Sequence, residues 1–312
     1  MPELSVIIPV YNNENSIQVL VSSIGSALKD RNSYQLILVN DGSSDRSWEI
    51  ISDCINGYSG NNTIMALDLK KNYGQENAKL AGLKNATGEF IAFMDADFQH
   101  NPEHLLLLLD ECKNGSDVCY ANFNNPSSGT FKLFGSWFYN YMATKLLNKP
   151  KGIYLSSYNM ISKNIADEVI MYTSPIVNID AMVLRHAKKV SQLFVQQNKS
   201  MNKKINYTPM KMVDLFFRLL PGFSTLPLRI ILILGSLISC GGIFLLITKE
   251  VLGIFASSLH FPIQTNTLII SCLGGMILFA MGVIGEYMGK IYTILHTDRQ
   301  FEIQTTITTQ KK

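Results

Sequence analysis

The feature that most constrains this chain is a short apolar run that ends in two carboxylates. Residues 90–94 (FIAFM) lead directly into Asp95 and Asp97, and Pro102 with Glu103 then opens a predicted helix. Such a run predicts a buried strand, and in open parallel sheets ligands bind at the carboxyl ends of the strands. Asp95 and Asp97 are two residues apart, so on an extended backbone they point the same way.

Two carboxylates aimed at one point repel each other unless a cation lies between them. A hard divalent ion such as Mg²⁺ or Mn²⁺ prefers oxygen ligands and often shares them with substrate phosphates. The alternative is a solvated Asp-x-Asp turn, which is common in isolation. The apolar strand before the pair and the helix start after it favour the metal site.

Strand-like and helix-like segments alternate along the first two thirds of the chain. This order predicts an α/β fold with a mostly parallel sheet and helices on both faces. The predicted strands are residues 4–10, 34–40, 63–69, 90–94, 117–121, 156–161 and 190–196, and the predicted helices are residues 16–30, 46–56, 76–85, 102–114, 131–147, 164–171 and 180–186.

Polar residues follow the first, second and fourth predicted strands and should share one sheet edge. No Gly-x-Gly-x-x-Gly follows the first strand and no Gly-Lys-Ser/Thr occurs, which argues against a dinucleotide Rossmann site and a P-loop. Asp41 could accept a hydrogen bond from a base or ribose, or it could be an ordinary turn residue. The edge residues are Tyr11, Asn12, Glu14, Asp41, Gly42, Ser43, Asp95 and Asp97.

The C-terminal third contains two long stretches without charge, 19 residues at 230–248 and 21 residues at 265–285. Each can span a hydrocarbon core of about 30 Å, whereas two buried soluble helices are a poor alternative. Lysines and arginines flank the pair on its outer sides. The positive-inside rule therefore predicts an integral membrane protein with two spans and both termini in the cytoplasm.

Residues 208–225, just before the first stretch, have apolar side chains at helical spacing and predict an amphipathic helix lying in the membrane interface. A soluble surface helix is the alternative. The predicted organisation is a cytoplasmic catalytic domain at 1–207, this interfacial helix, a two-helix membrane region at 226–292 and a cytoplasmic tail at 293–312. Glycines in and after the second stretch permit close helix approach, which is compatible with a homo-oligomer.

Composition excludes some classes. The net charge of +3 gives no indication of a nucleic-acid partner. The five cysteines show neither metal-ligand spacing nor a paired framework.

Several motifs in order resemble the family 2 glycosyltransferases of GT-A fold that load a sugar onto a polyprenyl phosphate, such as dolichyl-phosphate mannose synthases, bactoprenol glucosyltransferases and aminoarabinosyl lipid-carrier transferases. The matching segments are 5–14 (SVIIPVYNNE), 39–45 (VNDGSSD), 72–82 (NYGQENAKLAG), 94–103 (MDADFQHNPE) and 285–292 (GEYMGKIY). The resemblance implies inverting, metal-dependent transfer from a nucleotide-sugar, a UDP-sugar being favoured, to undecaprenyl or dolichyl phosphate at the cytoplasmic membrane face.

The resemblance also implies roles for individual residues. Asp95, Asp97 and Gln99 would hold Mg²⁺ or Mn²⁺ and the donor diphosphate, and they form the expected catalytic set. The expected nucleotide-sugar residues are Pro9, Tyr11, Glu14, Asp41, Gly42, Ser43, Asn72 and Lys79.

Three departures from the family pattern concern the acceptor side. Ser157 stands where many relatives have Asp, and Asn159 where many have Arg or Lys. The basic run after the fifth strand is replaced by asparagines. The family's Arg-x-x-Gly-x-Ser-x-Tyr motif before the membrane helices survives only as lysines ahead of Tyr207. The candidate acceptor-phosphate residues are Lys132, Lys199, Lys203, Lys204 and Arg218; plain attraction to anionic headgroups is the alternative.

Two other functions remain open at this point. One is a membrane enzyme that extends a polysaccharide, although two spans are few for a pore. The other is a non-catalytic membrane partner in lipid-carrier sugar transfer, against which the Asp95, Asp97 and Gln99 set argues.

Overall fold

A computed structural model describes the chain over the ranges given at the end of this paragraph. The chain divides into two compact units, Met1–Tyr207 together with Thr297–Lys312, and Thr208–His296. The described residues are 2–29, 33–58, 60, 62–123, 150, 152–173, 177–196, 300–309 and individual positions between 270 and 292.

The first unit is built on an eight-stranded sheet with the order β7-β5-β6-β4-β1-β2-β3-β8. Its strands are β1 Leu4–Val10, β2 Tyr34–Asn40, β3 Thr63–Leu69, β4 Phe90–Phe93, β5 Val118–Phe123, β6 Asn159–Ser162, β7 Val190–Val195 and β8 Ile303–Thr308. Its helices are α1 Ile17–Ala27, α2 Ser47–Asn56, α3 Gln75–Lys84, α4 His104–Lys113, α5 Lys163–Ile170 and α6 Ile179–His186.

The centre of the sheet is parallel. Strand β1 pairs in parallel with β2 and β4, β2 with β3, and β5 with β7. Strand β6 runs antiparallel to β4 and β5, and β8 runs antiparallel to β3. The predicted α/β fold with a mostly parallel sheet is therefore confirmed.

Two apolar layers cover the two faces of the sheet. Ile8 lies in the layer that contains α1, α2 and α4, while Ile7 lies in the layer that contains α3, α5 and α6. Strand β1 is buried along its whole length because helices cover both faces, as its continuous apolar sequence predicts. Truncating a fully buried residue such as Ile7 to Ala should cost about 2–5 kcal/mol of stability.

Two predicted boundaries differ where side chains bond to nearby backbone. The helix predicted from Pro102 begins at His104, because Asn101 first makes a turn in which its Oδ1 accepts from the Glu103 amide. The strand predicted from 156 begins at Asn159, whose Nδ2 donates to the Ser156 carbonyl. Such local bonds compete with regular secondary structure.

Strand β8 has no counterpart in the sequence predictions, which assign residues 293–312 to a cytoplasmic tail and include no strand there. Residues Ile303–Thr308 pair with β3 and form one edge of the sheet. The segment alternates apolar or β-branched residues with polar ones, a strand signal, but its partner lies more than two hundred positions earlier. This outermost strand of the sheet therefore depends on a contact between residues 63–69 and residues 303–308, which are far apart in the chain.

The described positions between 270 and 292 in the second unit are helical. Large apolar side chains are exposed there at Ile277, Met281, Ile284 and Met288. Over the part of the chain that is described, no helix has the length and apolarity needed to cross a membrane. The predictions for 131–147, 208–225 and 230–248, and part of that for 265–285, fall outside the described residues.

Candidate active site

The predicted polar edge exists. Because β1 lies between β4 and β2, the carboxyl ends of these three parallel strands are adjacent. They bring Tyr11, Asp41 and Asp95 to the same edge of the sheet.

The loops after β1 and β2 are bonded directly to each other. The Asn12 amide donates to Ser43 Oγ at 3.0 Å, and the Glu14 amide donates to Asp45 Oδ2 at 3.2 Å. In return, Glu14 Oε2 accepts from the Arg46 amide at 3.0 Å. Ser43 and Glu14, both predicted to bind the donor, therefore also fix the shape of this edge.

Gly42 is required where it stands. Its φ is +63°, and a Cβ there would lie 2.5 Å from the Lys71 carbonyl carbon and 2.6 Å from the Asn72 nitrogen. Only glycine permits this approach of the β2 loop to the loop after β3. Asn72 is exposed in that loop, Pro9 is buried near the end of β1, and Tyr11 is 48% exposed at the edge.

Asp41 is 3% exposed and its carboxylate holds the loop after β3. Its Oδ1 accepts from the Tyr73 amide at 2.7 Å, and its Oδ2 accepts from the Gly74 amide at 3.0 Å. Burial raises the pKa of Asp41, and the two amide bonds oppose that rise. The carboxylate is thus occupied on both oxygens by backbone donors, although each oxygen keeps a further lone pair.

Asp95 is fixed by side chains from three parts of the chain. Gln75 Nε2 donates to Oδ1 at 2.6 Å, and Ser157 Oγ donates to Oδ2. The Asp95 amide donates to His100 Nδ1 at 3.1 Å. Burial lowers the pKa of His100 against the opposing pull of the Asp95 and Asp97 carboxylates, and the ring stacks on Tyr158 with centroids 4.7 Å apart.

Asp97 turns back onto Gln99. Its Oδ1 accepts from the Gln99 amide at 3.1 Å and its Oδ2 from Gln99 Nε2 at 2.7 Å. Phe98 between them has a φ of +63°, which is costly for a bulky residue. Backbone strain of this kind clusters at functional sites.

The donor set fits a hard divalent cation. Within the described residues, neither Asp95 nor Asp97 has a lysine or arginine within 4.0 Å, so their charge is not neutralised by an ion pair. The same part of the chain has no group of three or more His, Cys, Asp or Glu residues placed to hold a metal. Asp95 and Asp97 thus supply two carboxylates whose oxygens keep further lone pairs, and a Mg²⁺ or Mn²⁺ ion held by them would take its remaining ligands from the substrate or from water.

Lys79, which is predicted to contact the donor, is buried rather than exposed at the edge. It is 5% exposed, and its Nζ lies 3.1 Å from Glu76 Oε1. Burial favours the neutral amine, but the carboxylates of Glu76, Asp180 and Asp95 outweigh it and raise the pKa of Lys79. Lys79 is thus an internal cation beneath the edge, and its contact with the donor stays a prediction.

Four residues that sequence reasoning did not assign to the site hold it together. They are Gln75, Glu76, His100 and Ser157, of which Gln75, Glu76 and His100 lie inside the matched motifs and Ser157 appeared only as a departure from the family pattern. The candidate acceptor residues Lys132, Lys199, Lys203, Lys204 and Arg218 lie outside the described part of the chain.

The fold and the site are those of an α/β protein with a polar, carboxylate-bearing site at the carboxyl ends of its parallel strands. Residues 5–170, more than half of the chain, match the glycosyl transferase family 2, and the chain belongs to that family. It is a glycosyltransferase, as the resemblance predicted.

Similar proteins extend over nearly the full length. A protein from Proteus mirabilis is 30% identical over 99% of this chain and 95% of its own length. One from Aeromonas hydrophila is 30% identical over 93% of this chain and 89% of its own. Both are named undecaprenyl-phosphate 4-deoxy-4-formamido-L-arabinose transferase.

Solved structures share the fold. Glucosyl-3-phosphoglycerate synthase from Mycobacterium tuberculosis with phosphoglyceric acid superposes with a TM-score of 0.52 at 15% identity, over 70% of this chain and 79% of that one. A second structure of this synthase, with Mn²⁺, uridine diphosphate and phosphoglyceric acid, gives 0.51 at 12% identity, over 70% and 77%. The GT-A fold is thereby confirmed.

Proposed function

We propose that this chain transfers a sugar from a nucleotide-sugar, a UDP-sugar being favoured, to a polyprenyl phosphate, with inversion at the anomeric carbon. The observation that carries the proposal is the similarity to undecaprenyl-phosphate sugar transferases across the whole chain, including the C-terminal third. A domain match alone would support only sugar transfer. The carboxylate edge of the sheet supplies the chemistry.

In this reaction the bond from the anomeric carbon to the diphosphate oxygen breaks, and a bond to the acceptor phosphate oxygen forms on the opposite face. That acceptor oxygen is already anionic near neutral pH, so Ser157 in place of a carboxylate is no obstacle. Asp95, Asp97 and Gln99 would hold the divalent ion, which neutralises charge on the leaving diphosphate when bound. Gln75 and Ser157 each donate to one oxygen of Asp95 and so fix the orientation of the carboxylate that would hold the ion.

The acceptor phosphate needs cations, because two anionic reactants must meet. The candidates cluster just before the first charge-free stretch and are Lys199, Lys203, Lys204 and Arg218, with Lys132 as a further contributor. A lipid phosphate emerges at the membrane surface, so its ligands should lie where the catalytic domain meets the bilayer.

We place the chain in a membrane with spans at 230–248 and 265–285 and both termini in the cytoplasm. The exposed apolar side chains at Ile277, Met281 and Ile284 support a lipid-facing helix. The pairing of β8 with β3 supports an even number of crossings, because residues on both sides of the intervening unit share one sheet and hence one compartment.

Cysteine labelling tests the topology. A cysteine placed near residue 257 should react with an impermeant reagent in intact cells, whereas one at the C-terminus should react only after permeabilisation. Protection at 257 together with labelling at the C-terminus would reverse the proposed orientation.

Transfer with purified protein in neutral detergent tests the activity. UDP-sugars, including UDP-4-deoxy-4-formamido-L-arabinose, would be offered with undecaprenyl and dolichyl phosphates, and the product should be a lipid-extractable monoglycosyl phosphate. A growing polymer would point to polysaccharide extension instead. Failure to transfer any sugar in the panel would overturn the proposed pairing of UDP-sugar donor and polyprenyl-phosphate acceptor.

The acceptor site is tested with Lys203→Ala combined with Lys204→Ala. This pair should raise the KM for the polyprenyl phosphate or lower kcat, while the KM for the donor stays unchanged. Lys311→Ala with Lys312→Ala removes the same charge and is the matched control. Neutral detergent removes the anionic surface, so equal effects of the two pairs would move the acceptor site elsewhere.

A further inference from the structure

Three consecutive residues link the two carboxylates at the site edge. The Tyr73 and Gly74 amides donate to Asp41 at 2.7 and 3.0 Å. The next side chain, Gln75 Nε2, donates to Asp95 at 2.6 Å. Asp41 follows β2 and Asp95 follows β4, and β1 separates these strands. The tripeptide therefore reaches from one carboxylate to the other across the end of β1.

The helix that continues from this tripeptide is anchored inside the protein. Glu76 Oε2 accepts from the Ile179 amide at 2.7 Å, which fixes the start of α6. Glu76 Oε1 is paired with the buried amine of Lys79 at 3.1 Å. Asp180, the second residue of α6, accepts from the Tyr120 hydroxyl of strand β5 at 3.3 Å. The first turn of α3 is thus bonded to the start of α6 through Glu76, while the Gln75 side chain extends to Asp95.

The backbone at the centre of the tripeptide is special. Gly74 has φ +91° and ψ 154°, a region open essentially only to glycine. A Cβ on Gly74 would meet nothing within 4 Å, so space does not explain the glycine. The conformation itself lets one residue donate to Asp41 while the next side chain turns toward Asp95.

We propose that Tyr73, Gly74 and Gln75 form a positioning bridge that sets the distance between Asp41 and the metal-binding carboxylate Asp95, with Glu76 and Lys79 as its anchor. The bridge would match the site to the length of a nucleoside diphosphate, whose base end lies toward Asp41 and whose phosphates lie toward Asp95. This inference rests on the proposed function. Gln75 and Gly74 are positioning residues, since they act through the two carboxylates.

The first test uses Gln75→Met, which keeps the length of the side chain and removes its donor. Changes to groups that orient a metal ligand typically lower metal affinity by about 10- to 100-fold. The half-saturating Mn²⁺ concentration should rise by that factor in thermal-shift titrations at fixed UDP, which need no acceptor and no turnover. The melting temperature without ligand should change little, because Gln75 is exposed.

The second test uses Gly74→Ala against a matched control. Gly115, between α4 and β5 at the opposite edge of the sheet, has φ +94°, and its added Cβ would make only an ordinary contact with Lys189. Gly74→Ala and Gly115→Ala should both lower the melting temperature through backbone strain. Only Gly74→Ala should also reduce the shift produced by UDP with Mn²⁺ and raise the donor KM.

The outcomes separate the bridge from the proposed reaction. Normal Mn²⁺ and UDP responses in Gln75→Met and in Gly74→Ala would overturn the bridge while leaving the reaction intact. In a second case, the wild type binds UDP with Mn²⁺ but transfers sugar to no polyprenyl phosphate, and both variants show altered binding. That result would support the bridge and refute the proposed acceptor class. A wild type without any Mn²⁺-dependent nucleotide shift would overturn the bridge and the metal assignment together.

Discussion

The two edges of the central sheet are built from opposite chemistry. At the amino edge of β1, Ser5 Oγ donates to Gln35 Oε1 at 2.7 Å and accepts from the Gly88 amide at 2.9 Å. Gln35 also accepts from Thr87 and donates to the Asn85 carbonyl. At the carboxyl edge, carboxylates take the place of these neutral groups.

The two networks differ in whether any charge remains available to a ligand. At the amino edge, the Ser5 and Gln35 side chains are buried and bond to each other, so that edge contributes stability and offers little to a ligand. At the carboxyl edge, neutral donors such as Gln75 and Ser157 fix Asp95 without cancelling its charge. Geometry is therefore set by the protein, while the charge remains for a cation to neutralise.

The largest expected effect comes from Asp97→Ala. Transfer should fall by at least about 10³-fold, equivalent to roughly 4 kcal/mol in the activation free energy, because one of the two carboxylates for the metal is lost. The melting temperature should stay close to that of the wild type. Asp110→Ala, an exposed acid on α4, is the control and should leave transfer unchanged. Comparable activity in Asp97→Ala and the control would remove Asp97 from the site.

Metal removal tests the same edge without a mutation. Excess EDTA should abolish transfer, and added Mg²⁺ or Mn²⁺ should restore it, because the charge of Asp95 and Asp97 is left for a cation. Circular dichroism should show the fold intact throughout, since the two apolar layers and the bond between Ser5 and Gln35 do not depend on the ion. Full transfer in EDTA would contradict the metal assignment.

An intermediate effect is expected from Gln35→Leu at the amino edge. The change leaves the Ser5 hydroxyl and the Thr87 amide without their acceptor, so the free energy of unfolding should fall by about 2–3 kcal/mol. Urea unfolding followed by circular dichroism measures this loss. At a temperature where the variant is folded, kcat and both KM values should match the wild type. A change in KM for the donor would show that the two edges are not independent.

The smallest expected effect comes from Lys70→Met at the sheet border. Its ion pair with Glu302 is 3.2 Å long and exposed, so removal should cost less than about 1 kcal/mol. Deleting residues 300–312, which contain β8, should lower stability much more, because the backbone ladder with β3 is lost. Equal losses from the two changes would mean that the ion pair, rather than the ladder, holds the border strand.

The sequence alone determined most of the strands and helices of the sheet domain and the kind of site. Strands β1, β2 and β3 have the predicted bounds. For β1 and β2, a nearly continuous apolar run reports burial on both faces without reference to its partners. The placement of Asp95 and Asp97 at the carboxyl edge followed from the same local reasoning. Family motifs added the enzyme class.

Only the tertiary structure decided which groups hold those carboxylates. The donors to Asp95 are 20 and 62 positions away in the chain, and nothing in the spacing selects Gln75 or Ser157 from other polar residues. Lys79 and Glu76 are visible as a helical pair, but the burial of Lys79 depends on how α3 lies on the sheet. Strand β8 pairs with β3 although the second unit, residues 208–296, lies between them in the sequence. Local patterns encode burial and direction, whereas these partners are fixed by contacts that exist only after the chain has folded.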